Sequence, residues 1–173
     1  MKQLKIGFVL DDSLDKTDGV QQYVLALGSW LSAAGHEVHY LVGQTSRTDL
    51  AHVHSLSRNM NVRFNGNRMS MPLPASRSAI RKLLEHEQFD VLHIQMPYSP
   101  FLAGRIILAA PPATKIFGTF HILPNSWTVR LANSALRLLV WRSLKKFSKV
   151  FAVSQAAQIF MHEAYGLQGD VLP

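Results

Sequence analysis

Short apolar runs alternate with amphipathic segments along most of the chain. The run LKIGFVL at residues 4–10 has no helical spacing, so it predicts a buried parallel strand. After it, apolar residues recur at intervals of three and four, which predicts a helix that Thr17 or Asp18 caps and that Gly35 ends. EVHYLVG then predicts a second strand, so the chain opens with a β-α-β unit whose crossover we expect to be right-handed.

The same alternation continues to the end of the chain. It predicts helices over residues 75–88, from Pro100 to the prolines at 111–112, over 127–146, and from Ser154 to Tyr165. FDVLHIQ, TKIFGTF, KVFAV and DVLP predict strands, and NVRFN predicts a short one, whereas NRMSMPLP predicts a loop. This order predicts an α/β fold, a Rossmann-like sandwich with a mostly parallel central sheet, in a single domain over residues 1–173.

A parallel sheet of this kind binds ligands beyond the carboxyl ends of its strands. That rule directs attention to three loops, which cover residues 11–19, 95–99 and 121–126.

The first loop combines a glycine with an acidic pair. Gly19 follows the first strand and opens a helix, where its amide can approach an anion, although a glycine that eases a tight turn is the alternative. The three-glycine dinucleotide fingerprint and the G-x-x-x-x-G-K-[ST] loop are both missing. Asp11 and Asp12 lack the further Asp and Lys of a receiver-type Mg²⁺ site, so we interpret them as loop polar groups or acceptors for hydroxyls.

Two histidines lie in or directly after predicted strands. His121 directly follows an apolar strand, where it can hydrogen-bond sugar hydroxyls or exchange protons; packing beside Phe120 is the alternative. His93 lies inside its strand, and we expect it in the core. The segment HEAYG at His162 lacks the second histidine of a zinc helix, and we predict no metal site.

Composition narrows the candidate partners. Eighteen Lys and Arg against eleven Asp and Glu give a net charge of +7, which attracts nucleotide phosphates, phospholipid head groups or nucleic acid. The chain has no cysteine, which excludes disulfides, thiol nucleophiles and cysteine zinc sites. No signal peptide or long apolar run is visible, so we expect a cytoplasmic protein.

The basic residues concentrate on two predicted helices. Arg77, Arg81 and Lys82 lie on one helix, and a second group follows the long helix at Arg130, Arg137, Arg142, Lys145, Lys146 and Lys149. A solvated face is one interpretation. The other is a membrane-surface site, with cations at lipid phosphates and the interleaved aromatic residues at the interface. No nucleic-acid recognition module is visible, which disfavours nucleic acid as a partner.

Four segments together resemble a known family: KIGFVL with DGVQQYVLALGSWLSAAGHEVHYLVG, then FDVLHIQMPYSP, GTFH and SKVFAVSQAA. In this order they resemble the N-terminal lobe of retaining glycosyltransferases with the GT-B fold, of the family 4 and phosphatidylinositol mannosyltransferase type. The resemblance covers nearly the whole chain. It implies transfer of a mannose- or glucose-type sugar from a nucleotide sugar such as GDP-mannose or UDP-glucose, without a cofactor or metal.

The resemblance also implies roles for individual residues. It places the Gly19 amide at the donor phosphate and His121, the catalytic candidate, beside the transferred sugar. It assigns Asp12, Ser13 and Gln21 to the acceptor pocket. It further implies that Arg77, Arg81 and Lys82 face an anionic membrane, as the amphipathic helix of lipid-modifying members does.

The chain departs from the family pattern in three respects. Many members have two glycines where this chain has Asp18 and Gly19, and Gln95 and Met96 replace the end of an H-x-H motif, which leaves the acceptor open. Members also carry a second lobe with an E-x7-E motif. We therefore expect the chain to be the N-terminal lobe alone, peripheral at the inner face of the membrane. The alternative is a non-catalytic α/β module that binds anionic lipid or a protein.

Overall fold

The computed structural model of the chain describes residues 2–64, 67–72, 75–121 and 127–172, and it describes side chains in these ranges outside 59–64, 67–72 and 127–135. The described strands are β1 (Lys5–Leu10), β2 (Glu37–Val42), β3 (Val53–Ser55), β4 (Asn59–Phe64), β5 (Asn67–Pro72), β6 (Val91–Ile94), β7 (Lys115–Phe120), β8 (Lys149–Ala152) and β9 (Asp170–Val171). The described helices are α1 (Gly19–Ala33), α2 (Arg77–Glu87), α3 (Leu102–Ala109), α4 (Trp127–Leu144) and α5 (Gln155–Tyr165).

Seven of these strands form one sheet in the order β3-β2-β1-β6-β7-β8-β9. All of its pairings are parallel, so every strand ends at the same edge. The predicted α/β sandwich is therefore confirmed, and in the described residues its central sheet is parallel throughout.

Alternate residues of the central strands belong to two apolar clusters on opposite faces of the sheet. Val9 of β1 belongs to a cluster with Ile80 of α2 and Ile106 of α3. Phe8, its neighbour in sequence, belongs to a cluster with Val24 of α1. The period of two in β1 thus decides which helix each residue meets, and helices cover both faces.

One sequence prediction for the middle of the chain is wrong. NRMSMP is not a loop but β5, which pairs antiparallel with β4 in a separate hairpin, with Phe64 opposite Asn67. Its two methionines alternate with polar residues as a strand requires, but the nearby prolines favoured a loop. Residues 53–55, which show no clear period, form the edge strand β3.

Helix α3 begins later than the proline signal predicts. Its first residue is Leu102 rather than Pro100. No side chain of its own caps this start, but the Asp11 carboxylate accepts a hydrogen bond from the Ala103 N–H at 2.6 Å. A residue at the end of β1 therefore caps a distant helix, which sequence spacing cannot show.

The other predicted helix ends are largely confirmed. Ser154 Oγ accepts a hydrogen bond from the Ala157 N–H at 3.2 Å, and Gly166 ends α5 with a φ of +67°. Gly35 follows α1 with a φ of +89°. Asp18 occupies the N-cap position of α1, but its side chain makes no capping hydrogen bond.

Candidate functional site

The carboxyl edge of the sheet brings together residues that are far apart in sequence. Asp11 follows β1, Gln95 follows β6 and His121 follows β7, and the first turn of α1 approaches the same edge. This is the edge at which parallel α/β sheets bind ligands. Residues 122–126, the rest of the third predicted loop, lie outside the described residues.

Two hydrogen bonds run diagonally across the β6–β7 ladder. His93 Nε2 lies 2.7 Å from Thr119 Oγ1, and His121 Nε2 lies 2.8 Å from Gln95 Oε1. Both pairs are separated by 26 residues in sequence, so they are successive steps of one diagonal on one face of the sheet. The sequence contains both halves of this pattern, as H-x-Q at residues 93–95 and T-x-H at residues 119–121. Only the register of β6 and β7 shows that these side chains meet.

Burial determines the protonation state of His121, and its contact with Gln95 determines the tautomer. Burial lowers its pKa to about 4, so the ring is neutral near neutral pH. The carbonyl oxygen of Gln95 can only accept, so His121 Nε2–H donates and Nδ1 keeps its lone pair. Nδ1 can therefore accept a hydrogen bond from a hydroxyl group.

His93 is buried, as the sequence predicts for a core histidine. It is 8% exposed, and burial lowers its pKa to about 4. The centroid of its ring lies 5.4 Å from that of Phe8, and its Nε2 is hydrogen-bonded to Thr119. His93 therefore packs in the core beside the site and does not face solvent.

Tyr23 connects α1 with the two histidines. The centroid of its ring lies 5.3 Å from that of His121 and 6.4 Å from that of His93, in edge-on contacts. The sequence pattern did not select Tyr23 as a site residue. Gly19 precedes it by four residues, so both lie on the same side of α1, about 6 Å apart along its axis.

Gly19 is not required by the local backbone. It is exposed, its φ is not in the left-handed region, and a Cβ added to it would meet nothing within 4 Å. The interpretation of Gly19 as a residue that eases a tight turn therefore finds no support. Since Asp18 makes no side-chain cap, the positive end of α1 opens onto free space beside Gly19.

The three predicted acceptor residues meet in the loop after β1. Asp12 Oδ1 accepts from the Ser13 N–H at 2.7 Å, and its Oδ2 accepts from Lys16 Nζ at 2.9 Å. Gln21 Nε2 donates to the Ser13 carbonyl at 3.1 Å. The structure thus brings Asp12, Ser13 and Gln21 together, and their mutual contacts hold this loop in place.

Several buried polar groups at this edge are incompletely satisfied. Gln21 Oε1 and Gln95 Nε2 are buried and find no hydrogen-bond partner among the described residues. Leaving such a group unpaired typically costs about 1–3 kcal/mol. Burial also raises the pKa of Asp11 to about 6. These are features of an edge that is built to meet a polar ligand.

The basic face of α2 has the predicted orientation. Arg77, Arg81 and Lys82 are exposed, whereas Ile80 and Leu84 are buried in the core. None of the three cations forms an ion pair with a described residue. Arg105 of α3, which sequence reasoning did not select, lines a groove of about 250 Å³ together with Arg77 and Arg81.

The second basic group lies on and after α4. Arg137, Arg142, Lys145, Lys146 and Lys149 are exposed, and the side chain of Arg130 lies outside the described ones. Leu138, Leu139 and Trp141 are exposed on the same helix. None of the helices in the described part of the chain has the length and apolar character that a membrane crossing requires.

Comparison with known proteins identifies what this arrangement resembles. A family model described as Glycosyltransferase Family 4 matches residues 17–173. A phosphatidyl-myo-inositol mannosyltransferase from Propionibacterium freudenreichii is 31% identical, with 98% of this chain and 45% of the relative covered. A protein of the same name from Mycolicibacterium smegmatis is also 31% identical, over 98% of this chain and 43% of its own length. The chain thus spans less than half the length of these relatives.

Solved structures agree on the fold. A sucrose-phosphate synthase from Thermosynechococcus elongatus superposes with a TM-score of 0.63 at 13% identity, over 97% of this chain and 47% of that one. An alpha-glucosyltransferase in complex with UDP and DNA superposes with a TM-score of 0.61 at 15% identity, over 98% and 42%. These likenesses confirm the predicted α/β lobe of the GT-B type.

Proposed function

The chain belongs to glycosyltransferase family 4, and on that premise we propose that it is the acceptor-side lobe of a retaining glycosyltransferase. The whole enzyme would move a mannose- or glucose-type sugar from a nucleotide sugar to an acceptor. The observation that carries this proposal is the carboxyl edge itself, where a neutral histidine and the open mouth of a helix face the same space.

The mouth of α1 is the proposed site for the donor phosphates. Its first-turn amides point out of an uncapped helix end, and the space beside Gly19 is open. Negative charge builds up on the nucleoside diphosphate as it leaves the sugar. A helix N-terminus stabilises that charge without reorganisation, which favours bond cleavage. GDP-mannose and UDP-glucose both present such a diphosphate.

His121 is the proposed contact of the transferred sugar. Its Nδ1 lone pair can accept a hydrogen bond from a sugar hydroxyl, while Gln95 holds the ring by Nε2. Slightly more than one helical turn, about 6 Å, separates Gly19 from Tyr23 along α1, and Tyr23 contacts His121. A hexose attached to a phosphate spans a distance of this order, so one donor can reach both groups.

The acceptor would meet the loop after β1. Asp12, Ser13 and Gln21 form its hydrogen-bond network, and the unpartnered Gln21 Oε1 is available to a hydroxyl donor. The relatives are named phosphatidyl-myo-inositol mannosyltransferases, which supports a lipid acceptor. Arg77, Arg81 and Lys82 of α2, which form no ion pair with a described residue, support peripheral contact with an anionic membrane at its cytoplasmic face, as does Arg105 beside them.

The proposed enzyme also includes a second lobe of the same polypeptide. The test is to incubate the longer polypeptide with labelled GDP-mannose or UDP-glucose and with vesicles that contain phosphatidylinositol. We expect label to enter the lipid from one donor. Gly19→Val should raise KM for the donor without affecting folding, because its side chain enters open space. Thr17→Val, an exposed isosteric change, is the matched control.

Two outcomes would contradict the proposal. An unchanged donor KM in Gly19→Val would remove the phosphate assignment. Binding to anionic vesicles without transfer from any nucleotide sugar would favour the non-catalytic module instead.

A further inference from the structure

A cluster of histidine and glutamate side chains lies between β2, β3 and the end of α2. His39 of β2 is at its centre and is 1% exposed. His54 of β3 places Nε2 at 2.9 Å from His39 Nδ1, and Glu87 of α2 places Oε2 at 3.9 Å from the same atom. The three ligand atoms all lie within 4.8 Å of one another. Three elements thus direct three potential metal ligands at one point.

This cluster is separate from the candidate functional site. Lys5 opens β1 and pairs in register with Glu37, which opens β2. Lys5 Nζ lies 3.0 Å from Glu37 Oε1 and 2.9 Å from Glu87 Oε2. The cluster therefore belongs to the amino edge of the sheet, opposite the edge at which His121 lies, and the proposed sugar transfer makes no use of it.

The hydrogen bonds of the cluster orient His39 as a metal ligand. Its Nε2 lies 2.8 Å from Glu37 Oε1 and donates to that carboxylate, so the lone pair of the neutral ring is on Nδ1. A carboxylate that holds the far nitrogen of a histidine is the usual support of a metal-binding imidazole.

We propose that His39 Nδ1, His54 Nε2 and Glu87 Oε2 form a binding site for a divalent transition-metal ion, best suited to Zn²⁺. Two imidazole nitrogens and one carboxylate oxygen form a common zinc donor set, with a fourth position for water. Two such nitrogens around a tetrahedral zinc ion are roughly 3.3 Å apart. Their separation of 2.9 Å must therefore widen by a few tenths of an ångström, and the proton of the neutral His54 ring must move from Nε2 to Nδ1.

A second group on the other side of His39 fits an ion less well. Glu37, His39 and His52 also lie close together, and the His52 ring stacks on His39 at 4.4 Å. In that group His39 would have to use Nε2, which already donates to Glu37. The first group uses the Nδ1 lone pair of His39, which accepts a hydrogen bond only from His54, itself one of the ligands, and this is why we assign the ion to it.

Lys5 makes the proposal more specific. Its ammonium is bound to Glu87 Oε2, the atom that the ion needs, so ion and ammonium compete. Removing the ammonium should strengthen ion binding, whereas a merely structural cluster of histidines would not respond in this way. The ion would link three elements that are distant in sequence and so stabilise the folded chain.

The test is calorimetric titration of Zn²⁺ into the 173-residue chain near neutral pH. We expect one ion per chain and a raised midpoint of thermal unfolding. His54→Gln and Glu87→Gln should each lower the affinity by at least about 10-fold. Lys5→Met should raise it. His162→Gln, an exposed histidine on α5, is the matched control and should change nothing.

The variants avoid His39, because replacing a ring that is almost fully buried would also disturb packing. Unchanged affinity in His54→Gln would overturn the proposal, as would zinc binding that falls equally in His162→Gln. Loss of binding in His52→Gln but not in His54→Gln would place the ion in the second group and reject this ligand set. Weaker binding in Lys5→Met would also reject it.

Discussion

The two edges of the parallel sheet hold histidines in opposite electrostatic settings. At the carboxyl edge, His93 and His121 are hydrogen-bonded to the neutral groups of Thr119 and Gln95. At the amino edge, His39 lies among carboxylates that share the ammonium of Lys5. The same residue type therefore serves two kinds of chemistry in one small domain, and its neighbours decide which.

The two edges also differ in what they still lack. Gln21 Oε1 and Gln95 Nε2 have no partner among the described residues, so the carboxyl edge suits a ligand that brings hydroxyls and phosphates. The charges of the amino edge are already paired with one another, so a cation enters there only by displacing the Lys5 ammonium from Glu87. The carboxyl edge can still accept a ligand that forms hydrogen bonds. The amino edge can bind a cation only when that cation replaces the ammonium of Lys5.

The largest expected effect is that the 173-residue chain shows the binding activity of its amino edge but not that of its carboxyl edge. The 173-residue chain should unfold cooperatively and bind zinc, but it should bind nucleotide sugars weakly and transfer no sugar. All proposed ligands of the amino edge belong to this chain, whereas in the proposed function the carboxyl edge is only one wall of a cleft. Holding donor and acceptor together is worth up to ~7–11 kcal/mol, and one wall cannot supply it. Calorimetry with nucleotide sugars and a transfer assay check this; tight donor binding or measurable transfer would contradict it.

The next effect concerns the histidine of the carboxyl edge. In the longer polypeptide, His121→Ala should lower turnover by ~10²-fold or more, because a positioned polar contact to the reacting sugar is lost. Its stability should change much less, since the ring is only partly buried. Steady-state kinetics with a parallel urea titration measure both. His162→Ala is the control. Turnover at the wild-type rate, or failure to fold, would show that His121 is not catalytic.

The basic face of α2 should produce an effect of similar or smaller size on membrane binding. Each cation near an anionic surface contributes about 1 kcal/mol, so replacing Arg77, Arg81 and Lys82 by Ser should weaken binding to anionic vesicles by about 10²-fold. Added salt should have the same effect. Vesicle sedimentation measures it. The control replaces Arg137 and Arg142 of α4 and Lys145, which follows it, by Ser and so removes the same positive charge. Equal binding to neutral and anionic vesicles would refute an electrostatic contact.

A change of charge at Gln95 would make the carboxyl edge resemble the amino edge. In Gln95→Glu, a carboxylate faces His121 as Glu37 faces His39, so the pKa of His121 should rise and Nδ1 should become a donor. We expect turnover to fall by about 10-fold near neutral pH, in addition to any loss from burying the new charge. NMR titration of the His121 ring reports the pKa. Gln95→Met removes the hydrogen bond without adding charge; an equal pKa in both variants would contradict the comparison.

The smallest expected effect is on the pH dependence of stability. Burial lowers the pKa values of His93 and His121 from 6.5 to about 4, so the unfolded chain takes up protons first as the pH falls. Their stabilising contribution is complete above pH 6.5 and is lost between 6.5 and about 4. Asp11 acts oppositely, because burial raises its pKa from 3.8 to about 6 and folding then favours its protonated form.

The histidines outweigh Asp11 in this balance. Between about pH 7 and about pH 5.5 we expect a net loss of about 1 kcal/mol in the free energy of unfolding. Urea titrations at a series of pH values measure it, with His162→Gln as control. In Asp11→Asn the loss should be steeper. A chain that gains stability over this range would contradict the assigned pKa directions.

Much of the fold was predictable from the sequence because the signals are local. The apolar spacing predicted the alternation of strands and helices, and Ser154 and Gly166 marked the ends of α5 correctly. The rule that ligands meet the carboxyl ends of parallel strands selected His121 and Gly19. The hairpin of β4 and β5 was half missed, because prolines beside a strand of alternating residues favoured a loop.

What the sequence could not determine is which distant side chains meet. The cap that Asp11 provides to α3, the pairing of Gln95 with His121 and the approach of Glu87 to His39 and His54 all cross between elements. Each depends on strand order and register, which follow from packing the whole chain. The alternation of apolar and polar residues determined that this chain is an α/β lobe, because burial of apolar faces is decided residue by residue. Only the tertiary structure decided that its histidines form a neutral site at one edge and a charged cluster at the other, because pKa and ligand geometry depend on neighbours from other elements.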